Sequence, residues 1–203
     1  MKPEIILVGG GGHCKAGIDV IEQEGKYSIA GIVDLREKKL EIVLGYKIIA
    51  TDNDLPRLIK EYRNFLITVG QIKNPAKRIK LYKIIKKAGA FLPVVISPFS
   101  YVSKHAKIGE GTLVLHHALI NAGAIIGANC IINSKALIEH DAVVGDHCHI
   151  ATGGVVNGGV VIDEATFWGS CAVSLECTTV GSNSIIGCNA TIKNNVRPNS
   201  IVT

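Results

Sequence analysis

A six-residue period runs through the second half of the chain. Every sixth residue from Ile96 to Ile192 is Ile or Val at fifteen of seventeen places, and Trp168 and Ser174 are the two exceptions. The residue four places after each of these is usually small, as Ala136 is. A period of six fits neither the 3.6 residues of an α-helix nor the two of a strand. It is typical of a parallel β-helix built from hexapeptide repeats.

The repeat predicts short strands joined by tight corners. Three hexapeptides would make one triangular coil, and stacked coils would pair their backbones at about 4.8 Å. The Ile and Val side chains would point inward, because β-branched residues suit a buried pleated surface. We expect no phase break between Ile96 and Arg197. Cys130 and Cys148 occupy small inward positions, so we expect them to be core residues.

Strand and helix patterns alternate over the first 95 residues. We predict strands over 4–8, 27–33 and 65–69, and helices over 14–24, 55–63 and 75–87. Such alternation favours a small parallel sheet of Rossmann type. The chain of 203 residues therefore has room for two domains, which we place at 1–95 and 96–203.

Composition excludes several classes of protein. No apolar run approaches the roughly 18 residues of a membrane span, so we expect none. The start, MKPEIILVGGGG, is typical of a strand and turn rather than a signal peptide. The six cysteines form no CxxC pair, and free thiols are the default in the cytoplasm, where we expect the protein to be.

Positive charge is concentrated in the first domain. Residues 1–95 carry a net charge of +7 and residues 96–203 a net charge of −2. A basic domain suits an acidic small molecule such as a phosphate ester. We expect most of the Lys and Arg residues over 73–87, Arg78 among them, to form a solvated helix face. Aromatic residues are not interleaved with them, so nucleic acid is not an expected partner.

A glycine-rich turn, Gly9–Gly12, lies between the first predicted strand and helix. Backbone without side chains lets an anion approach a helix N-terminus, where amide donors favour negative charge. Asp34, at the end of the second strand, could accept hydrogen bonds from a ribose or base. Cys14 replaces the third glycine of a dinucleotide fingerprint, so a tight strand-to-helix turn is the alternative. The β-helix pattern that follows favours diphosphate binding.

His140 is the candidate for acid–base chemistry. Its place in the repeat is at a corner, so its imidazole should point out of the coil. Imidazole titrates near neutral pH, and the adjacent Asp141 can orient one ring nitrogen while the other takes a proton. The alternative is an ordinary solvated histidine.

These stretches resemble a family of bacterial sugar acetyltransferases that join a small Rossmann-like domain to a left-handed β-helix. The family includes the UDP-4-amino-sugar N-acetyltransferases of the bacillosamine pathway, the GDP-perosamine N-acetyltransferases and the sialic-acid-cluster O-acetyltransferases. The resemblance covers nearly the whole chain, and Ile-Glu-His-Asp at 138–141 is its most specific part. The other stretches that carry it are 6–13, 33–34, 133–137, 145–149 and 157–160.

The resemblance implies a nucleotide-sugar-binding domain over 1–95 and an acetyl-CoA-binding catalytic β-helix over 96–203. The implied reaction is acetyl transfer from acetyl-CoA to the amino group of a nucleotide-linked sugar of the UDP-4-amino-4,6-dideoxy type, for bacterial surface glycan synthesis. His140 would be the general base and Asp141 its orienting neighbour. No metal would take part. Such families work as homotrimers, with CoA between the β-helices of neighbouring subunits.

The resemblance also assigns binding residues. Those on the acceptor would be Gly10, Gly11, Gly12, His13, Asp34, Asn133, His149 and Gly158. Those along the CoA groove would be Gly169, Ser170, Gly187 and Cys188. Trp168 and Ser174 depart from the aliphatic pattern beside this stretch and could reshape the groove.

Three alternatives remain open from sequence. The first is O-acetylation of sialic acid or a related sugar, since a hydroxyl and an amine can use the same base. The second is a zinc enzyme of carbonic anhydrase type with His117, His140 and His149 as ligands. The third is a regulatory or scaffold protein, because the sequence stops at Thr203, before the Gly-x-Pro-Ala tail common in relatives.

Overall fold

A five-stranded sheet with helices packed on it forms the first part of the molecule. The computed structural model describes residues 1–35 and 41–203. The strands are β1 (Glu4–Val8), β2 (Ser28–Val33), β3 (Ile42–Val43), β4 (Tyr46–Ala50) and β5 (Asn64–Ile67), and the helices are α1 (Gly12–Glu24), α2 (Leu55–Glu61) and α3 (Ala76–Lys87). A 3₁₀ turn covers Asp52–Asp54. The strand order is β3-β4-β2-β1-β5, parallel except for the antiparallel pair β3–β4.

The predicted strands and helices of this part are all present, with ends displaced by at most two residues. The hairpin β3–β4 was not predicted. Its turn contains Leu44 and Gly45, both with positive φ (47° and 88°). Because β4 pairs with β2, the hairpin extends the parallel sheet at one edge.

The second part of the chain is a parallel β-helix of two-residue strands on three sheets. Sheet 1 holds β6 (Val95–Ile96), β9 (Leu113–Val114), β12 (Ile131–Ile132), β15 (His149–Ile150), β18 (Phe167–Trp168), β21 (Ile185–Ile186) and β23 (Ile201–Val202). Sheet 2 holds β7 (Tyr101–Val102), β10 (Leu119–Ile120), β13 (Leu137–Ile138), β16 (Val155–Val156), β19 (Val173–Ser174) and β22 (Thr191–Ile192). Sheet 3 holds β8 (Lys107–Ile108), β11 (Ile125–Ile126), β14 (Val143–Val144), β17 (Val161–Ile162) and β20 (Thr179–Val180).

The second residue of most strands points into the prism, as the six-residue period predicts. These residues and the small corner residues, including Cys130 and Cys148, form one buried core. Trp168 also points inward: a Cβ on Gly154 would lie 2.8 Å from its ring, so the glycine makes room for the indole. Ser174 is buried as well and accepts the Asn157 N–H at 3.0 Å. Both exceptions therefore change the interior of the prism, and not its outer groove.

The last coil departs from the expected phase. Partners in neighbouring coils are 18 residues apart along most of the prism, but Val196 pairs with Val180 and Val202 with Ile186, 16 residues apart. An unbroken period would put Pro198 at the pairing position, and proline has no N–H to donate. The expectation of an unbroken phase to Arg197 was wrong. The chain is two residues shorter between Ile192 and Val196, so Val196 takes the pairing position instead of Pro198.

Sheet 1 packs against the first domain. Val95, Leu113 and Leu115 share a buried core with α1 and the strands beside it. Strand β6, which begins at Val95, pairs with β9 and so belongs to the prism. We therefore propose that the domains meet at about residue 95. No helix among the residues described here is both long and apolar enough to cross a bilayer.

Arg78 corrects the expectation of a solvated helix face. Its side chain is fully buried and points from α3 toward the β-helix. Its Nη1 donates to the carbonyls of Ile67 (2.6 Å) and Val69 (3.0 Å), and its Nε donates to the carbonyl of Asn129 (3.1 Å). One guanidinium thereby fastens the end of β5 to a corner of the prism. Lysines of α3, such as Lys80 and Lys83, are exposed as expected.

Candidate active site

A cavity of about 760 Å³ opens where the first domain meets sheet 1 of the prism. Its walls come from the N-terminus of α1, the segment after β5, and the prism. Seven of the eight acceptor residues implied by the family resemblance line it: Gly10, Gly11, Gly12, His13, Asp34, Asn133 and His149. The eighth, Gly158, lies elsewhere. The structure thus brings together residues that are up to 139 positions apart in sequence.

The glycine turn is shaped by Asp34. Its Oδ2 accepts the Gly10 N–H at 3.1 Å, and a Cβ on Gly10 would come within 2.9 Å of that oxygen. Gly9 has φ +113° and its Cβ would lie 2.6 Å from Val69, so this position needs glycine. A Cβ on Gly11 or Gly12 would meet nothing within 4 Å, because both face open space. The start of α1 therefore presents backbone amides to the cavity, as an anion site requires.

Two histidines on the cavity wall are held neutral. Burial and, to a smaller extent, the nearby charge of Arg78 lower the pKa of His13 to about 3. Burial likewise lowers the pKa of His149 to about 4, against the raising effect of its hydrogen bond to Gln71. The rings are 6.4 Å apart, centroid to centroid. At neutral pH both imidazoles therefore line the cavity without adding charge to it.

His140 lies at a corner between sheets 2 and 3, with 63% of its side chain exposed. Its Nδ1 is 3.0 Å from Asp141 Oδ2, and this hydrogen bond raises the pKa of His140 above its usual 6.5. The backbone N–H of His140 donates to Glu139 Oε2 at 3.1 Å. The Nε2 atom leans over Gly158 of the next coil, where a Cβ would approach it to 2.8 Å. The arrangement leaves Nε2 to take a proton from a substrate.

His140 does not line the cavity in the single chain. The cavity lies on sheet 1 and on the corner between sheets 1 and 2, where Asn133 follows β12. His140 and Gly158 are on the next corner of the prism. One protomer alone therefore presents its sugar-sized cavity and its exposed imidazole on different sides.

The four residues implied for CoA lie in two neighbouring coils at the corner between sheets 1 and 2. Gly169 and Ser170 follow β18, and Gly187 and Cys188 follow β21. A Cβ on Gly169 would come within 2.4 Å of the Gly187 backbone, so the coils are in close contact there. This corner is the one that carries Asn133, two coils below. The structure does not bring these residues to His140 within one chain.

The three histidines proposed as zinc ligands do not converge. His117 is at the corner between sheets 1 and 2, His140 at the corner between sheets 2 and 3, and His149 on sheet 1. Within 1–35 and 41–203, no group of three His, Cys, Asp or Glu side chains has a metal-binding arrangement. The geometry gives this alternative no support.

Residues of the segment after β5 line the cavity and were not predicted from sequence. They are Thr68, Val69, Gly70, Gln71 and Ile72, joined by Lys77 of α3. Ligands of open parallel sheets bind outside the carboxyl ends of the strands, and this segment follows such an end. That rule, applied to the predicted strand over 65–69, could have found them.

Residues 4–85 match the family described as the PglD N-terminal domain. The match covers the glycine turn, Asp34 and the segment after β5, so the wall of the cavity that the first domain supplies lies within the matched residues.

Solved structures resemble the first domain and the prism together. PerB of Caulobacter crescentus, in complex with CoA and GDP-perosamine, matches with a TM-score of 0.90 and 28% identity, over 98% of this chain and 92% of that chain. The acetyltransferase domain of PglB from Neisseria gonorrhoeae, in complex with acetyl coenzyme A, matches with a TM-score of 0.89 and 29% identity, over 99% and 96%. WeeI from Acinetobacter baumannii shares the fold at 20% identity, with a TM-score of 0.76 over 100% and 97%.

No curated protein sequence matched significantly. The solved structures and the match to the PglD N-terminal domain nevertheless confirm the predicted fold class, a Rossmann-like domain followed by a left-handed parallel β-helix. They also confirm the resemblance to nucleotide-sugar N-acetyltransferases.

Proposed function

We propose that this protein transfers acetyl from acetyl-CoA to the amino group of a nucleotide-linked amino sugar. The observation that carries the proposal is the exposed His140 at 3.0 Å from Asp141, over the glycine of the next coil, on a fold shared with CoA-bound and nucleotide-sugar-bound structures. The cavity beside the glycine turn fits the other half of such a substrate. The first turn of α1 suits a diphosphate, and Asp34 suits a ribose or base.

The chemistry follows from the corner at His140. A sugar amine attacks the thioester carbonyl only when neutral, and His140 Nε2 removes its proton during the attack. Asp141 on Nδ1 orients the ring and stabilises the imidazolium. The backbone N–H of Gly158, which donates to no other backbone group in the described residues, can hold the tetrahedral oxyanion. The intermediate then expels the CoA thiolate, which takes up the proton that His140 removed.

Sheets 2 and 3 support assembly into a homotrimer. Outward residues on sheet 2 flank the His140 corner with apolar side chains: Tyr101, Leu119, Leu137, Val155 and Val173. Ile125, Val143 and Val161 do the same on sheet 3. Contiguous apolar surface of this kind marks a contact with another protein. A second copy placed there can bring its cavity to the His140 corner, so we propose that the site is completed between protomers.

The function is tested by thiol release. The protein is incubated with acetyl-CoA and a panel of UDP- and GDP-linked 4-amino sugars, with sialic acids included for the hydroxyl alternative. We expect release with a nucleotide amino sugar, and its loss in His140→Ala, in which binding of CoA persists. Turnover at the normal rate in that variant would remove His140 from its role. Acceptance of sialic acids alone would replace the amine by a hydroxyl acceptor.

The shared site is tested by mixing two inactive variants. Gly11→Trp should fill the cavity without disturbing the fold, since a Cβ there meets nothing. Co-refolded with His140→Ala, it should restore roughly a quarter of normal activity, because one in four random interfaces then combines two intact halves. If the mixture stays inactive while light scattering shows trimers, each site belongs to one chain.

A cytoplasmic location completes the proposal. Acetyl-CoA is made and used there, and the six cysteines are free, with Cys14, Cys130 and Cys148 buried as reduced thiols.

A further inference from the structure

Gln71 is held between the two domains at the prism end of the cavity. Its side chain is nearly fully buried and its Nε2 donates to the carbonyl of His147 at 3.0 Å. Its own backbone carbonyl accepts a hydrogen bond from His149 Nδ1 at 2.5 Å. Arg78, which binds the carbonyls of Ile67 and Val69, fixes the segment just before it. The side-chain amide thus has one orientation, in which Nε2 is bonded to the prism and Oε1 is the end without a hydrogen bond.

Hydrogen bonds around His149 have a fixed direction. The Ser134 N–H donates to Asn133 Oδ1 at 2.8 Å, so the nitrogen of that amide, Nδ2, is the atom 3.2 Å from His149 Nε2. His149 Nε2 therefore accepts, and Nδ1 carries the proton donated to Gln71. Burial keeps this ring neutral, with its single proton on Nδ1, and both ring nitrogens have a hydrogen-bond partner in the protein. His149 forms part of the wall but has no ring nitrogen left for a ligand.

Gln71 Oε1, by contrast, is an unpaired acceptor. It is buried and has no hydrogen-bond partner among the described residues, although Gln71 lines the cavity. A buried polar atom without a partner destabilises the protein unless water or a ligand supplies a donor. His13 Nε2 is also buried without a partner, but its proton is not fixed by a neighbour, so it can be donor or acceptor. Gln71 Oε1 can only accept.

We propose that Gln71 is a specificity-determining residue that accepts a hydrogen bond from one ring hydroxyl of the acceptor sugar. The inference deepens the proposed function and rests on it for the identity of the ligand. The nucleotide occupies the end of the cavity at the glycine turn and Asp34, so the sugar lies at the end formed by Gln71, Asn133 and His149. A second N–H of Asn133 Nδ2 lies at this end, and a hydroxyl can accept from it while donating to Gln71.

Discrimination between sugars follows because a sugar without the matching hydroxyl leaves Oε1 buried and unpaired. A sugar that lacks the matching hydroxyl fills the space without supplying a donor, and water is excluded with it. A buried acceptor left unpaired weakens binding by about 10- to 100-fold. Gln71 therefore distinguishes a hydroxylated sugar from its deoxy counterpart, whichever position of the ring it reads.

The test is a binding comparison that needs no turnover. Dissociation constants of the nucleotide amino sugar and of analogues that each lack one ring hydroxyl are measured by calorimetry on the full-length protein. We expect the normal protein to bind one analogue about 10- to 100-fold more weakly than the parent sugar. In Gln71→Met that ratio should fall to about 3-fold or less, since the acceptor oxygen is gone.

Gln71→Glu is the matched control. It keeps an oxygen facing the cavity but loses the N–H to His147, so it should retain the discrimination even if overall affinity falls. A merely structural role predicts that both variants weaken every ligand by the same factor. That outcome would overturn the proposal. So would equal binding of all analogues by the normal protein, or no binding of any ligand. Thiol release is scored separately, so binding selectivity without acetyl transfer would count against the proposed function alone.

Discussion

Substitution of Gly158 by alanine isolates the position of the His140 ring. Gly158 lies one coil above His140 and two above Ala122, at the same corner position in each coil. Side chains are tolerated there, and Gly158 has no positive φ, so the backbone does not require glycine. A Cβ at 158 would lie 2.8 Å from Nε2 and Cε1 of His140, whereas ordinary contact begins at 3.4 Å. The ring must therefore move by about 0.6 Å or more, or swing out into solvent.

Displacement on this scale sets the expected loss. A misplacement of about 1 Å can lower a rate about 100-fold, and complete loss of a general base about 10²- to 10⁴-fold. We expect kcat/KM of Gly158→Ala to fall at least about 10-fold and no further than that of His140→Ala. The melting temperature should stay unchanged, because an exposed ring gives way. Ala122→Gly, a change of one methyl at the same corner position, is the control and should keep full activity.

Thiol release under kcat/KM conditions and differential scanning calorimetry provide the two readouts. If Gly158→Ala were fully active, the imidazole would not need the place that the structure gives it. If the variant lost activity together with stability, the glycine would serve the fold, and the reasoning about the ring would be wrong.

Three further predictions concern protonation and packing. Asp141→Asn should shift the acidic limb of the pH–rate profile to lower pH, because the hydrogen bond that raises the pKa of His140 is weakened; an unmoved limb would contradict this. The free energy of unfolding should decline as pH falls below about 6.5, by up to about 1.4 kcal/mol per pH unit for each histidine, because His13 and His149 take up protons there only in the unfolded chain. His149→Gln should make this decline with pH less steep when the free energy is measured by urea titration at each pH. Trp168→Ala should cost about 3–5 kcal/mol, since the indole is fully buried; a loss below about 1 kcal/mol in the same titration would show that the prism collapses around the gap.

Local pattern was enough to predict the prism. Each hexapeptide specifies its own strand and corner, and coils pair at a constant offset, so inward Ile and Val, outward His140 and the contact with Asp141 all follow from position in the repeat. The prediction from the repeat failed in the last coil, which is shortened near Pro198. Continuing the period would have paired this proline with Val180, although proline has no backbone N–H to donate.

Contacts between the domains could not be predicted in the same way. Arg78 lies in the same run of basic residues as the exposed lysines of α3. It is buried because its guanidinium reaches the carbonyl of Asn129, 51 residues away in sequence. Gln71 likewise gains its role from His147 and His149. The glycine turn and Asp34 were predicted as binding residues from their places at strand ends, whereas the separation of His140 from the cavity depends on which sheet the first domain covers.

A crystal structure with CoA and the nucleotide amino sugar is the most direct examination of His140. We expect the sugar nitrogen about 2.6–3.2 Å from His140 Nε2, or one water away, with the nucleotide in the cavity of a neighbouring protomer and the CoA sulfur beside Gly158. A sugar nitrogen remote from every His140 in the assembly would show that another group removes the proton.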